Sequence, residues 1–293
     1  MAYDRQLGLY PDDVGAALDR SALALDTADY ETVRRLCAPV LESDRKADAF
    51  HCLAMAAYRE GRHEEAIKLY DQAIAGECFD TALAHWNRSL ALQSIGRYQE
   101  GWAEHEYREK QVTDNGMAAI MRPFRLPRWQ GEPAPARLHL HQEMGLGDTL
   151  AMARYAPMLV AQGYDVRMEV NDSLVSLFTR SFPTVAMMPK AIDYPAAFGI
   201  DMFDYHCPML SLPAVMKTDI GTVPWNGAYV TADPDLAQEY RALLPKECKI
   251  GLCWSSGIRK EGLWIAEYGR RKSMNFCDLS PVLSRGNFVS LQV

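Results

Sequence analysis

Residues 137–153 read RLHLHQEMGLGDTLAMA, a strand-like run that passes through two glycines into an amphipathic helix. The leucines and histidines of RLHLH alternate as in a strand of period two, and from Leu150 onward apolar residues recur at helical spacing. Glycines at a strand-to-helix turn let backbone amides approach a ligand closely, and the unpaired N–H groups at the helix start favour an anion. The stretch therefore predicts an α/β unit with a ligand-binding turn.

The candidate site in this turn consists of Glu143, Gly145, Gly147 and Asp148. We expect the first three residues to form a loop that binds an acceptor or an anion, and Asp148 to stand at the N-cap of the helix. An aspartate at an N-cap accepts a hydrogen bond from an amide two or three residues later, which is a purely structural role. A catalytic carboxylate is the alternative, and the sequence leaves both open.

The composition restricts the class of protein. Hydrophobic residues make up 48% and charged residues 24% of the 293, which is typical of a globular protein, and no apolar run is long enough to span a membrane. Lys and Arg total 31 against 38 acidic residues, a net charge of -7, so a nucleic-acid-binding surface is not expected. The start of the chain does not resemble a secretory signal, and the seven cysteines form no CxxC pair, so we expect a cytoplasmic protein with reduced thiols.

The first third of the chain repeats itself. The three similar stretches are TADYETVRRLCAPVL at 27–41, EGRHEEAIKLYDQAI at 60–74 and IGRYQEGWAEHEYRE at 95–109. With Ala28, Gly61 and Gly96 as equivalent turn residues the spacings are 33 and 35, close to the roughly 34-residue period of the tetratricopeptide family, which these stretches resemble. The pattern predicts a helical-repeat domain over 1–115 with a concave face for an extended peptide; the alternative is that the repeats only stack on the next domain.

A proline-rich linker over 116–136 follows, and its RPFRLPRW segment is expected to pack as a connector against the domains on both sides. The next domain is predicted over 137–245. Its further elements are strands at 165–170 and 184–188, a strand-to-turn segment at 203–210, and helices at 172–181 and about 234–244. Strands that alternate with helices predict a parallel sheet.

His206 is a second catalytic candidate. Ligands of parallel sheets bind beyond the carboxyl ends of the strands, so the turn at Asp148 and the turn after His206 point to one crevice. The alternative is a histidine held by backbone groups at a strand end.

A second α/β unit is predicted to begin in residues 246–293, with the strand KIGLCW at 249–254 and a turn of small residues after it. The residues expected to bind a diphosphate are Ser255, Ser256, Lys260, Arg271 and Ser273. The alternative is that the cations lie solvated on a surface loop. Residues 246–293 suffice for about one strand–helix–strand unit, so we expect an incomplete domain and a chain truncated after Val293.

Several segments in order carry a family resemblance: GWAEHEYRE, RPFRLPRWQGEP, EMGLGDTLAMARYAPML, DYHCPMLSLP, IGLCWSSG, RRKSM and FVSLQ. They resemble bacterial tetratricopeptide-repeat proteins that carry a GT-B glycosyltransferase, of the heptosyltransferase group and more loosely of the O-GlcNAc transferases. The resemblance implies an α-solenoid, then a Rossmann-like parallel-sheet domain of GT-B type and the start of a second one. It also implies Asp148 as the base that activates the acceptor, although Pro157 lies further from Asp148 than in that group.

The function implied is an inverting, metal-independent transfer of a sugar from a nucleotide-sugar to a hydroxyl of an acceptor protein or glycan. The nucleotide-sugar is a substrate, so no cofactor is expected, and family members hold it mainly through the second domain, whose later donor motif lies past Val293. The chain alone is therefore expected to be inactive. Such a reaction needs a base for the acceptor hydroxyl and cations or amides for the departing diphosphate.

Two other functions remain open. A Gly-x-Gly turn after a strand begins a dinucleotide fingerprint, and Glu169 ends the next strand, as in NAD(P)-dependent oxidoreductases. Leu150 disfavours this function because it stands where the fingerprint requires Gly or Ala, and Asp148 disfavours it because its carboxylate would lie beside the pyrophosphate. The other alternative is a non-catalytic scaffold, in which the repeats bind a partner protein and the α/β part is inactive.

Overall fold

The computed structural model describes residues 2–110, 124–190, 202–224, 227–244, 246–247, 250–256, 269 and 272–291. The chain divides into two compact units, residues 1–231 and residues 232–293. The domain boundaries expected at 115, 136 and 245 stay predictions. Over the described residues, no helix combines the length and the apolar character needed to cross a lipid bilayer.

The first unit begins with seven helices. They are α1 (Ala2–Leu9), α2 (Val14–Asp26), α3 (Tyr30–Val40), α4 (Lys46–Arg59), α5 (His63–Ala75), α6 (Thr81–Ser94) and α7 (Tyr98–His105), and a 3-10 helix (Glu106–Lys110) continues the last of them. Helices α2 to α7 form three antiparallel hairpins that pack in chain order. The predicted helical-repeat region is therefore confirmed.

The turn inside each hairpin has the same geometry. Ala28, Gly61 and Gly96 adopt φ values of +59°, +80° and +83°. In each case the amide of the next residue donates to the carbonyl five residues before it, at 2.9 Å, 2.9 Å and 3.0 Å. This left-handed ending of a helix suits glycine, and it confirms the equivalence of the three positions inferred from the repeat period.

Small residues fill the contact between the two helices of a hairpin. Ala54, Ala57, Ala66 and Ala73 are fully buried around the ring of Tyr70 in the hairpin of α4 and α5. Alanines at a helix crossing allow the backbones to approach, and the larger tyrosine fills the space beside them.

A four-stranded parallel sheet follows the repeats. Its elements are β1 (Arg137–His141), α8 (Leu146–Ala153), α9 (Tyr155–Ala161), β2 (Asp165–Val170), α10 (Asp172–Ser181), β3 (Ala186–Pro189), β4 (Tyr205–Pro208), a 3-10 helix (Met209–Ser211) and α11 (Leu212–Val215). The strand order is β3-β2-β1-β4. Strands β2 and β3 lie on one side of β1, and β4 lies on its other side. This reversal of direction creates a topological switch point between β1 and β4.

Both faces of this sheet are covered. Leu138 and Leu140 of β1 belong to an apolar core shared with α8, α9 and α10. On the opposite face, His139 is only 1% exposed and His141 only 4%. The alternation of leucine and histidine therefore does not separate core from solvent, because parallel sheets bury both faces.

The second unit contains α12 (Pro234–Leu243), β5 (Ile250–Leu252), a 3-10 helix (Phe276–Leu279), α13 (Ser280–Leu283) and β6 (Phe288–Ser290). Asp233 caps α12 by accepting from the amides of Asp235 at 3.1 Å and Leu236 at 3.2 Å, and Pro234 is the first helical residue. This is the arrangement that the Asp-Pro pair predicts. Strands β5 and β6 are parallel.

Candidate functional site

The turn after β1 presents Asp148 to solvent. Gly145 is the N-cap of α8, with an extended backbone, and the amide of Gly145 donates to Asp148 Oδ2 at 3.1 Å. Asp148 is thus the third residue of the helix and not its N-cap. The prediction was wrong because the helix begins at Leu146, two residues before Asp148, and a glycine without a side chain occupies the cap.

Gly147 lies in the first turn of α8, where a Cβ would meet no atom within 4 Å. The first amides of a helix have no partner within the helix, so this exposed turn can offer N–H groups to a polar ligand. Asp148 and the amides occupy the carboxyl end of β1, beside the switch point.

Glu143 has a different environment from the one expected. Its carboxylate is 3% exposed and accepts from Arg108 Nε at 3.1 Å and from Arg108 Nη2 at 2.9 Å and 3.0 Å. The amide of Leu210 also donates to it, at 3.2 Å. Burial raises the pKa of the Glu143 carboxyl, and the charge of Arg108 opposes that rise. Glu143 therefore supports the turn from inside instead of facing a ligand.

Arg108 and its partners form a cluster, which we call the Arg108 network; Arg108, Glu143 and Ser211 are buried and the other members are partly exposed. Its members are Glu106, Arg108, Glu109, Arg128, Glu143 and Ser211. Arg108 Nη2 donates to Ser211 Oγ at 2.7 Å and Arg108 Nη1 donates to Glu106 Oε1 at 2.8 Å. The network joins the last helical segment of the repeats to the carboxyl ends of β1 and β4.

The connector takes part in the same network. Arg128 Nη1 donates to Glu109 Oε2 at 2.6 Å, and Arg128 also bonds to Glu106 and Ser211. The next residue, Trp129, is 1% exposed and belongs to the core of the sheet. The described part of the connector, from Phe124 onward, thus packs against the repeats and the sheet, as its sequence predicts.

His206 is partly buried. It is on β4, beside His139, and its Nδ1 lies 3.1 Å from Nε2 of His141. The ring of Phe124 stacks on His206 and on His141, with centroids 4.3 Å apart in both pairs. The backbone of His206 bonds to Pro127 and Trp129 of the connector. This placement agrees better with the alternative of a histidine held by backbone groups in a strand than with a catalytic residue at a turn.

Three predicted residues of the second unit come together at the end of β5. Ser255 Oγ lies 3.2 Å from Ser273 Oγ, and the amide of Ser256 donates to Ser273 Oγ at 3.0 Å. The hydroxyls of Ser256 and Ser273 both donate to the carbonyl of Gly269, at 2.9 Å and 2.8 Å. The other two predicted phosphate-binding residues, Lys260 and Arg271, lie outside the described residues.

The sequence did not identify Arg108, Arg128 or Ser211 as members of a site. Arg108 stands in a charged segment that looks solvent-exposed, and its partners Glu143 and Ser211 are 35 and 103 residues further along the chain. Among the described residues, no group of three or more His, Cys, Asp or Glu side chains is arranged to hold a metal ion.

Comparison with known proteins identifies one element of the chain. A family model described as tetratricopeptide repeat matches residues 47–75, which cover α4 and α5. No curated protein matches the sequence. Among solved structures, a mutant of the O-GlcNAc transferase of Thermobaculum terrenum is similar at 16% identity and a TM-score of 0.33. The similarity covers 89% of this chain and 49% of that protein, so this chain spans about half the length of the transferase.

Proposed function

We propose that this protein takes part in transferring a sugar from a nucleotide-sugar to an acceptor hydroxyl, with inversion and without a metal. The observation that carries the proposal is the exposed Asp148 carboxylate, held by the Gly145 amide at the carboxyl end of β1. Ligands of parallel sheets bind at this end, next to the switch point. The motif resemblance supplies the reaction class.

Each chemical step has a candidate group. The oxygen of the acceptor hydroxyl attacks the anomeric carbon while Asp148 accepts the hydroxyl proton. The bond from the anomeric carbon to the diphosphate breaks in the same step. The cluster of Ser255, Ser256 and Ser273 is proposed to bind the diphosphate. Its hydroxyls and the Ser256 amide would exchange their present bonds, which they make to one another and to the Gly269 carbonyl, for bonds to phosphate oxygens. Asp148 is favoured over His206 as the base because Asp148 is exposed, whereas the ring of His206 stacks on Phe124 and bonds to His141.

We also propose that the helical repeats bind the acceptor protein or another peptide, since tetratricopeptide repeats expose a concave face. The dinucleotide-binding alternative has less support. Asp148 lies in the first turn of α8, where it would repel a pyrophosphate at the helix start.

The proposal is tested by Asp148→Asn. The amide oxygen of asparagine can still accept from Gly145, so the melting temperature should change little, whereas the proton acceptor is lost. Turnover at saturating donor should fall by about 10²–10⁴-fold, the usual contribution of a positioned base. The assay measures nucleoside diphosphate released from a panel of nucleotide-sugars, and it uses the longest natural chain that contains residues 1–293.

Asp172→Asn is the matched control, because Asp172 occupies the first turn of α10 after the neighbouring strand. The control variant should keep wild-type turnover. Near-native turnover of Asp148→Asn would exclude Asp148 as the base, and His206→Gln would then be measured. Absence of turnover with every donor in the wild type would contradict the proposed transferase.

A further inference from the structure

The turn that carries Asp148 is anchored from two sides. On one side, the backbone amide of Gln142 donates to the backbone carbonyl of Glu169 at 3.0 Å. The side-chain oxygen Oε1 of Gln142 accepts from the backbone amide of Asn171 at 2.7 Å. On the other side, Glu143 is held by Arg108 through three hydrogen bonds. The first anchor comes from the sheet itself, but the second comes from the end of the helical repeats.

We propose that Arg108 is a positioning residue, which fixes the Asp148 turn through Glu143 and so makes the last helical segment of the repeats part of the candidate site. A guanidinium that bonds a carboxylate with two nitrogens fixes both the distance and the orientation of that carboxylate. Glu143 is two residues before Gly145, so a shift of its carboxylate is transmitted directly to the start of α8.

The ion pair between Arg108 and Glu143 is not expected to serve only to stabilise the fold. Both side chains are buried, with exposures of 0% and 3%. Buried ion pairs can often be replaced by apolar residues of similar size without loss of stability, whereas removal of one partner leaves a costly unpaired charge. Stability and positioning can therefore be separated by comparing single and double replacements.

The experiment compares four variants of the 293-residue chain. Arg108→Met leaves Glu143 unpaired, and Arg108→Met with Glu143→Met removes both charges. Arg108→Lys keeps the charge but loses the planar fork. Arg137→Met is the matched control, since it breaks an ion pair with Asp204 on the same sheet whose side chains are 44% and 40% exposed.

The measurements are the melting temperature and amide hydrogen exchange over residues 142–149. Arg108→Met should lower the melting temperature, and the double variant should recover the part of the loss that comes from the unpaired Glu143 carboxylate. Exchange over 142–149 should nevertheless be at least about tenfold faster in both, and intermediate in Arg108→Lys, because the turn has lost its anchor. The Arg137→Met control should exchange like the wild type.

A second readout rests on the proposed function. In the longest natural chain, the double variant should lower kcat by about 10²-fold and change KM for the donor little, because a misplaced base slows the chemical step. Native exchange over 142–149 in a stable double variant would overturn the positioning role. Altered exchange in a protein without any transferase activity would retain the positioning role and reject the proposed function.

Discussion

Among single residues, His105 is expected to make stability depend on pH. It is 6% exposed between Trp86 and Trp102, and its Nδ1 has no hydrogen-bond partner among the described residues. Burial, with a smaller effect of the Arg108 charge, lowers the pKa of His105 from 6.5 to about 3. Below pH 6.5 the unfolded chain therefore binds a proton that the folded chain does not, so stability falls with pH until about pH 3.

This predicts a loss of about 2 kcal/mol from His105 in the free energy of unfolding between pH 7.5 and pH 5. Urea titrations at the two pH values measure it. In His105→Phe, which keeps an aromatic ring between the two tryptophans, the difference between the two pH values should shrink by about this amount. An unchanged difference would show that other groups cause the dependence.

The residues of the Asp148 turn show how far sequence reasoning reaches at this scale. The two glycines identified the position of the turn, although the structure does not require glycine there: the φ of Gly145 is -71°, and a Cβ at Gly147 would meet no atom within 4 Å. The glycines did not predict the direction of the neighbouring side chains: Asp148 faces solvent, whereas Glu143 faces Arg108. That difference depends on a partner contributed by a distant segment, and nothing in EMGLGD specifies it.

In the helical hairpins, substitutions at two equivalent turn positions are expected to change the free energy of unfolding in opposite directions. Ala28 holds a left-handed φ of +59° with a Cβ, whereas Gly96 holds +83° without one. Ala28→Gly should therefore raise the free energy of unfolding by about 0.5–1 kcal/mol, and Gly96→Ala should lower it by about 1 kcal/mol. A Cβ at Gly96 would meet no atom within 4 Å, so the backbone alone determines the sign. Chemical denaturation of both variants measures the two changes, and equal signs would contradict the shared geometry.

Gly101 in α7 is predicted to be required by packing. A Cβ there would lie 2.6 Å from Gln93 Cγ and 3.1 Å from the carbonyl oxygen of Ser89, both on α6. Alanine favours a helix by about 1 kcal/mol over glycine, but crowding of a packed contact costs about 1–3 kcal/mol. Gly101→Ala should therefore lower the melting temperature. A higher melting temperature would mean that α7 moves away from α6 easily.

The elements themselves were largely predictable. The strand at 165–170 and the helix at 172–181 have the predicted bounds, since their apolar periodicity and the Asn171 cap are local features. The segment at 203–210 is a strand only over Tyr205–Pro208, because a 3-10 helix begins at Met209. The period of the repeats located all three hairpin turns.

For the whole molecule, the alternation of strands and helices predicted the parallel sheet. The strand order β3-β2-β1-β4, and with it the switch point between β1 and β4, is known only from the structure. The Arg108 network could not be inferred in the same way. Its charges come from the repeats, the connector and two loops of the sheet, and each is ordinary in its local sequence. Long-range complementarity of this kind leaves no periodic signal.

The position of Arg108 in the chain also has a consequence for protein synthesis. Most contacts within the repeats are between helices that follow one another in the chain, so the hairpins can form as soon as they leave the ribosome. Glu143 is made 35 residues after Arg108, and Ser211 is made 103 residues after it. We therefore expect the repeats of the nascent chain to fold first, while Arg108 is still hydrated. The Arg108 guanidinium becomes buried only after β4 has been synthesised and the sheet has formed.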